Sequence, residues 1–199
     1  MTLDLTVDLW NGNTADADRG HRVLVLPGSR YSAQLPGLAW PMRALALQGW
    51  EVWCAVWDLS GVPGRDEARA VVERAIDRFI DQAGSAPQLV IAKSVGTLAA
   101  GWVADHGVPT VWTTPLLHDE DCVGHIARAS SPALLVAGSQ DHAWDDDAAR
   151  RTGKQAVVIP GADHGWATGD WRTELDAVVQ LTGAVEDFAA RLSGDSLRT

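Results

Sequence analysis

Short apolar runs recur along this chain, and between them the apolar positions spread out to a helical spacing. The short runs fall at 22–26, 51–57, 89–92, 110–113, 133–137 and 156–159, each of strand length. The intervening stretches predict helices over 35–48, 66–83, 95–105, 121–129, 145–152 and 172–192. The clearest is 66–83, where Ala68, Val71, Val72, Ala75, Ile76, Phe79 and Ile80 share one stripe at i, i+3, i+4, i+7. In 172–192 the expected inward residues are Leu175, Val178, Val179, Val185, Phe188 and Leu192. Residues 1–9 alternate differently: Leu3, Leu5, Val7 and Leu9 at period two predict a half-exposed edge strand.

Strand followed by helix, repeated, predicts an α/β fold. The expected architecture is a mostly parallel, doubly wound sheet of about seven strands with helices on both faces. No internal repeat, linker or low-complexity segment divides the chain. A single domain is expected over 1–192, with 193–199 as a flexible tail. In such sheets ligands bind beyond the carboxyl ends of the strands. The polar residues cluster just there.

Composition narrows the possibilities. The 199 residues carry a net charge of −10 and no basic run, which argues against nucleic acid or an anionic membrane as partner. No apolar stretch reaches the ~20 residues of a membrane span, and Met1-Thr2-Leu3-Asp4 has neither the basic nor the apolar region of a signal peptide. Two cysteines, Cys54 and Cys122, fit core positions in a reducing cytoplasm. The abundance of Ala, Trp and Arg fits a GC-rich bacterial source. Ten tryptophans are unusual for this length and are expected mostly in the core or at sheet edges. Trp53 and Trp57 share a parity, so one face of their strand is aromatic.

Four strand ends carry chemistry. The first is followed by Pro27-Gly28-Ser29-Arg30-Tyr31-Ser32, and the run at 89–92 by Lys93-Ser94-Val95-Gly96. Gly138-Ser139-Gln140-Asp141-His142 follows 133–137, and Pro160-Gly161-Ala162-Asp163-His164-Gly165-Trp166 follows 156–159. Ala92-Lys93-Ser94-Val95-Gly96 has the layout of a nucleophile elbow: strand, sharp turn with a central serine, helix, and small residues where the two backbones nearly touch. An ordinary helix cap is the competing role for Ser94. Lys93-Ser94 also evokes a phosphate loop, but Pro87 and Ala92 stand where that motif needs glycine. Lys93 is expected to point sideways, toward a carboxylate or the surface. His118 with Asp119, Glu120 and Asp121 lacks a second histidine at ligand spacing, so no metal site is expected, and Asp119 or Asp121 fits the cap of the next helix. Asp145, Asp146 and Asp147 rival Asp141 as an acid but read as a solvated first helical turn.

The three motifs A-K-S-V-G, G-S-Q-D and P-G-A-D-H-G-W, in this order and spacing, resemble the α/β-hydrolase superfamily along nearly the whole chain. The likeness is to small, lidless esterases and dienelactone-hydrolase-like proteins. The resemblance implies Ser94 as nucleophile, His164 as general base and then acid, and Asp141 as the residue orienting the imidazole. It implies an oxyanion hole from the N–H groups of Val95 and, in the loop after the first strand, Ser29. Relatives often carry His-Gly in that loop where this chain has Pro27-Gly28. Arg30 and Tyr31 beside that loop, and Trp144 and Trp166 beside the acid and the base, are the candidate substrate contacts; shielding of the triad is the other role open to the tryptophans.

The connection 114–131 holds one short helix and has no room for a cap domain. The expected site is an open cleft. The expected activity is carboxylesterase-like: hydrolysis of a small ester or thioester through an acyl-enzyme, with no metal or organic cofactor. A non-catalytic scaffold binding a ligand or partner is the alternative from another class, and acyl transfer would use the same triad. Either a monomer or a homodimer is compatible with the sequence.

Overall fold

The computed structural model of the chain describes residues 4–14, 18–59, 61–62 and 64–196. Among these residues, seven strands form one sheet in the order β1-β3-β2-β4-β5-β6-β7. They are β1 (Leu5–Leu9), β2 (Asp18–Leu26), β3 (Trp50–Trp57), β4 (Leu89–Lys93), β5 (Thr110–Thr113), β6 (Ala133–Gly138) and β7 (Gln155–Ile159). All neighbours pair in parallel except β1, which runs antiparallel on the edge against β3. In β1, Leu5 and Val7 are buried and Leu9 is exposed; the expected start of this strand at 1–3 lies outside the described residues, as does 197–199 of the expected tail.

Among the described residues, six helices flank the sheet: α1 (Pro36–Leu47), α2 (Arg65–Ala83), α3 (Ala100–His106), α4 (Glu120–Arg128), α5 (Asp146–Thr152) and α6 (Trp171–Ser196). Strand parity sorts their partners. Leu24, Leu26, Val90, Ala92, Trp112 and Leu135 face one side, against α2, α3, α4 and α5. Val23, Val25, Leu89, Ile91, Val111, Leu134 and Val136 face the other, against α1 and α6. Most of these residues are fully buried, and each large one contributes roughly 1.5–3 kcal/mol by leaving water. The central strands are apolar on both faces because both faces are covered.

Local signals set the helix ends. The α2 stripe is buried from Ala68 to Phe79, Asp66 and Glu67 occupy its first turn, and Gly84 ends it in the left-handed conformation at φ 78°. Asp119 caps α4 by accepting the Cys122 N–H, and Asp145 caps α5 by accepting the Ala148 N–H.

Two expectations are corrected. The segment 95–105 is not one α-helix: a 3-10 turn over Ser94–Ala99 precedes α3. In α6, Leu175 and Val179 are 51% and 68% exposed, and the inward residues are Ala177, Val178, Leu181, Val185, Phe188 and Ala189. The buried stripe includes alanines because α6 packs directly on α1, and close helix approach selects small side chains there. Trp40 and Trp171 also lie on the surface, whereas Trp50, Trp112 and Trp166 are buried.

Candidate active site

Ser94 opens the 3-10 turn at the carboxyl end of β4 with φ 51°, a left-handed conformation unusual for a residue with a Cβ. The turn is sharp because the backbones on either side nearly meet. A Cβ placed on Gly96 would sit 2.9 Å from the Leu26 carbonyl oxygen and 3.3 Å from the Ala92 methyl. Thr97 locks the turn: its hydroxyl donates to the Ser94 carbonyl at 2.6 Å and accepts from the Leu116 N–H at 3.2 Å.

His164 and Asp141 reach Ser94 from the ends of β7 and β6. His164 Nε2 lies 2.8 Å from Ser94 Oγ, and His164 Nδ1 lies 2.7 Å from Asp141 Oδ1. Asp141 Oδ1 also accepts the Ala143 N–H at 2.9 Å. Burial pushes the Asp141 carboxyl up, but the hydrogen bonds from His164 and Ala143, with the nearby Lys93 charge, outweigh it and hold it below its ordinary value. An ionised acceptor at Nδ1 leaves Nε2 free to accept the serine proton. The Asp163 carboxylate accepts the N–H groups of Gly165 and Ala167, shaping the loop that carries His164.

The loop after β2 closes the other side. Gly28 faces Ser94, where an added Cβ would lie 3.7 Å from the serine Cβ. The Gly28 N–H is taken by the Tyr31 carbonyl, and the Gly28 carbonyl accepts the Trp57 indole N–H at 3.3 Å. In a trans peptide C=O and N–H point opposite ways, so this bond directs the Ser29 N–H away from Trp57. The Val95 N–H is among the first of its helical turn, where donors lack intrahelical acceptors.

No family model matches the chain, and no curated sequence matches it. Solved structures do. Est1E from Butyrivibrio proteoclasticus aligns with a TM-score of 0.72 at 13% identity, over 96% of this chain and 95% of that one. An α/β serine hydrolase without a lid from Xanthomonas campestris aligns at TM-score 0.64 and 19% identity, over 95% and 88% of the two chains. A dienelactone hydrolase from Anabaena variabilis aligns at TM-score 0.64 and 18% identity, over 95% and 91%. The chain has the α/β-hydrolase fold.

The connection from β5 to β6 carries only α4. Two clefts flank the loop 28–35. One, of about 330 Å³, is bounded by Gly28, Ser29, Arg30, Tyr31 and the end of β3 at Trp57. The other, of about 460 Å³ and mostly apolar, lies between Leu35, Trp166, Trp171 and Leu175. Arg30 is exposed on the first cleft, and Tyr31 borders both with its hydroxyl accepting the Gly37 N–H. Trp166 is buried on the second cleft; Trp144 borders neither, and its indole N–H donates to Asp146.

Sequence reading missed several residues here. Lys93 neither reaches the surface nor pairs with a carboxylate by hydrogen bond: it is 1% exposed, and its amine donates to the Thr114 hydroxyl and the His164 carbonyl. Parity carried the signal, since Lys93 follows Leu89 and Ile91 on the face toward α1 and α6. Exposed His142 stands 4.7 Å ring to ring from His164. Ligand atoms of Asp141, His142 and His164 lie within 4.8 Å of one another, a spacing a metal ion could span. An ion taking a ring nitrogen of His164 there would compete with the hydrogen bonds of that ring to Asp141 and Ser94. Burial pushes the Cys54 thiol up to about 12 and the Cys122 thiol up to about 11, so neither offers a thiolate nucleophile near neutral pH.

Proposed function

We propose that the protein is a serine hydrolase of small esters or thioesters. The observation that carries this reading is the continuous chain of hydrogen bonds from Ser94 Oγ through His164 to Asp141, at 2.8 and 2.7 Å. Ser94 Oγ attacks the substrate carbonyl carbon while His164 Nε2 takes its proton. The tetrahedral oxyanion is met by the N–H groups of Val95 and Ser29. The intermediate collapses to acyl-Ser94, and the alcohol or thiol leaves with the proton held by His164. Water then attacks the acyl-enzyme with His164 again as base, releasing acid and free serine. Asp141 holds the imidazole in the required tautomer and stabilises its charged form.

The open cleft beside Ser29 supports a small or protruding substrate, with Arg30 placed to meet an anionic group on it. Tyr31 and Trp166, which border the clefts, are proposed as apolar walls around the reacting ester, and Trp144, outside both clefts, is not. Two unpaired, buried thiols fit a reducing compartment such as the cytoplasm.

The test is intact mass after incubation with a fluorophosphonate, on wild type and Ser94→Ala. One adduct on wild type and none on the variant is expected. Absence of an adduct on wild type would overturn the reading and favour a non-catalytic binding scaffold.

A further inference from the structure

Lys93 is buried one residue before the proposed nucleophile, and the mechanism above gives it no task. Its amine donates to Thr114 Oγ1 at 2.7 Å and to the His164 carbonyl oxygen at 2.7 Å. The remaining side of the amine faces aromatic rings: the Tyr31 centroid is 4.5 Å away and the Trp166 centroid 5.6 Å. Among the described residues, the non-glycine positions with positive φ are Ser94 (51°), Thr114 (45°) and Trp166 (71°). All three surround this amine. Ser94 follows it in sequence, Thr114 accepts from it, and Trp166 lies two residues beyond the carbonyl it binds. Backbone held in such conformations persists only where its surroundings over-determine it. Tyr31 extends the link to the loop that carries Ser29.

We propose that Lys93 is a positioning residue for the catalytic base. Its amine fastens the His164 backbone to the strand that carries the nucleophile and to the turn at Thr114. The imidazole is thereby held within hydrogen-bond reach of Ser94, in a site that has no lid to press the loop down. Either protonation state serves, since a neutral amine still has two N–H groups for two oxygen acceptors. The donors of Lys93 go to a hydroxyl and to the backbone of the base itself.

This proposal rests on the serine-hydrolase reading, and its test separates the two. Lys93→Met keeps the length and apolar stem of the side chain and removes the amine. Wild type and variant are compared in kcat and KM on p-nitrophenyl acetate, in folded content, and in the far-downfield proton of the His164–Asp141 hydrogen bond by proton NMR. The expected result is a folded variant with kcat lower by on the order of 10²-fold, an unchanged KM, and a downfield proton that is broadened or lost. A folded variant with wild-type kcat and a wild-type downfield proton would overturn the proposal. If Lys93→Met does not fold, Thr114→Val decides: a kcat loss of roughly 2- to 10-fold at constant KM supports the tether, and no change sinks it. If wild type itself neither turns over the ester nor takes a fluorophosphonate, the hydrolase reading fails, while the proton signal still reports whether Lys93 holds His164.

Discussion

Gly138 and Ala162 touch where the acid-bearing and base-bearing loops leave the sheet. A Cβ placed on Gly138 would lie 1.9 Å from the Ala162 carbonyl oxygen. The contact is stitched by Gln140 N–H to the Ala162 carbonyl, Ser139 N–H to the Ile159 carbonyl, and Gly161 N–H to the Ser139 hydroxyl. It sets how closely Asp141 and His164 approach. Gly138→Ala should therefore separate the two loops, destabilise the fold by about 1–3 kcal/mol or more, and lower kcat. Gly124→Ala is the control, because that exposed helical glycine in α4 has open space around its Cβ position; it should be neutral or slightly stabilising. Urea unfolding and ester turnover of both variants check this, and a fully active Gly138→Ala would refute the packing argument.

The proposed triad should behave as one unit. Ser94→Ala and His164→Ala should each cost on the order of 10³-fold or more in kcat with the fold retained. The double variant should be no worse than the worse single one, because a serine without its base is already disarmed. Independent, multiplying losses in this cycle would mean that the two residues act in separate steps.

The strand and sharp turn at Ser94 and most strand boundaries were legible because each is enforced locally, although β2 begins at Asp18 and not at residue 22. A sharp turn demands small neighbours, and covered strands demand apolar runs. Lys93 was not legible by residue type, since lysine is ordinarily a surface residue; only the parity of β4 places it inside. The α6 stripe misled for a related reason. Leu175 and Val179 were weighed by size, but the face against α1 is partly built from Ala177 and Ala189, and the larger residues border the apolar clefts beside Trp171 and Trp40. Trp57 was legible as an aromatic on one face of its strand but not as a donor to Gly28, a contact between the end of β3 and a loop distant in sequence.

That contact carries its own prediction. If the Ser29 N–H stabilises the oxyanion, Trp57→Phe removes the bond that orients its peptide while keeping an aromatic ring in place. A kcat loss of roughly 2- to 10-fold is expected, with weaker binding of a boronate mimic of the tetrahedral intermediate. Equal effects on kcat and on boronate affinity would tie the loss to the transition state. A change in KM alone would mean that Trp57 merely shapes the cleft.

Lys93 also gives the protein a stability signature. Burial lowers its pKa from the ordinary lysine value to about 7, against the opposing pull of Asp141 and Asp163. Between that value and the unfolded value of 10.5 the unfolded chain binds more protons than the folded one. Stability therefore rises with pH across this window, and the favourable contribution is lost as pH falls through about 7. The rise can reach about 1.4 kcal/mol per pH unit for one proton. Burial raises the Cys54, Cys122 and Tyr31 pKa values, which reverses the trend once thiols ionise in the unfolded chain near pH 9. The clean interval is pH 7 to 8.5. Urea unfolding there should show wild type gaining stability relative to Lys93→Met, whose curve lacks this proton. Parallel curves for the two proteins would mean that the amine stays protonated at pH 8.5, with the Tyr31 ring, the His164 carbonyl and the two aspartates compensating its burial in full.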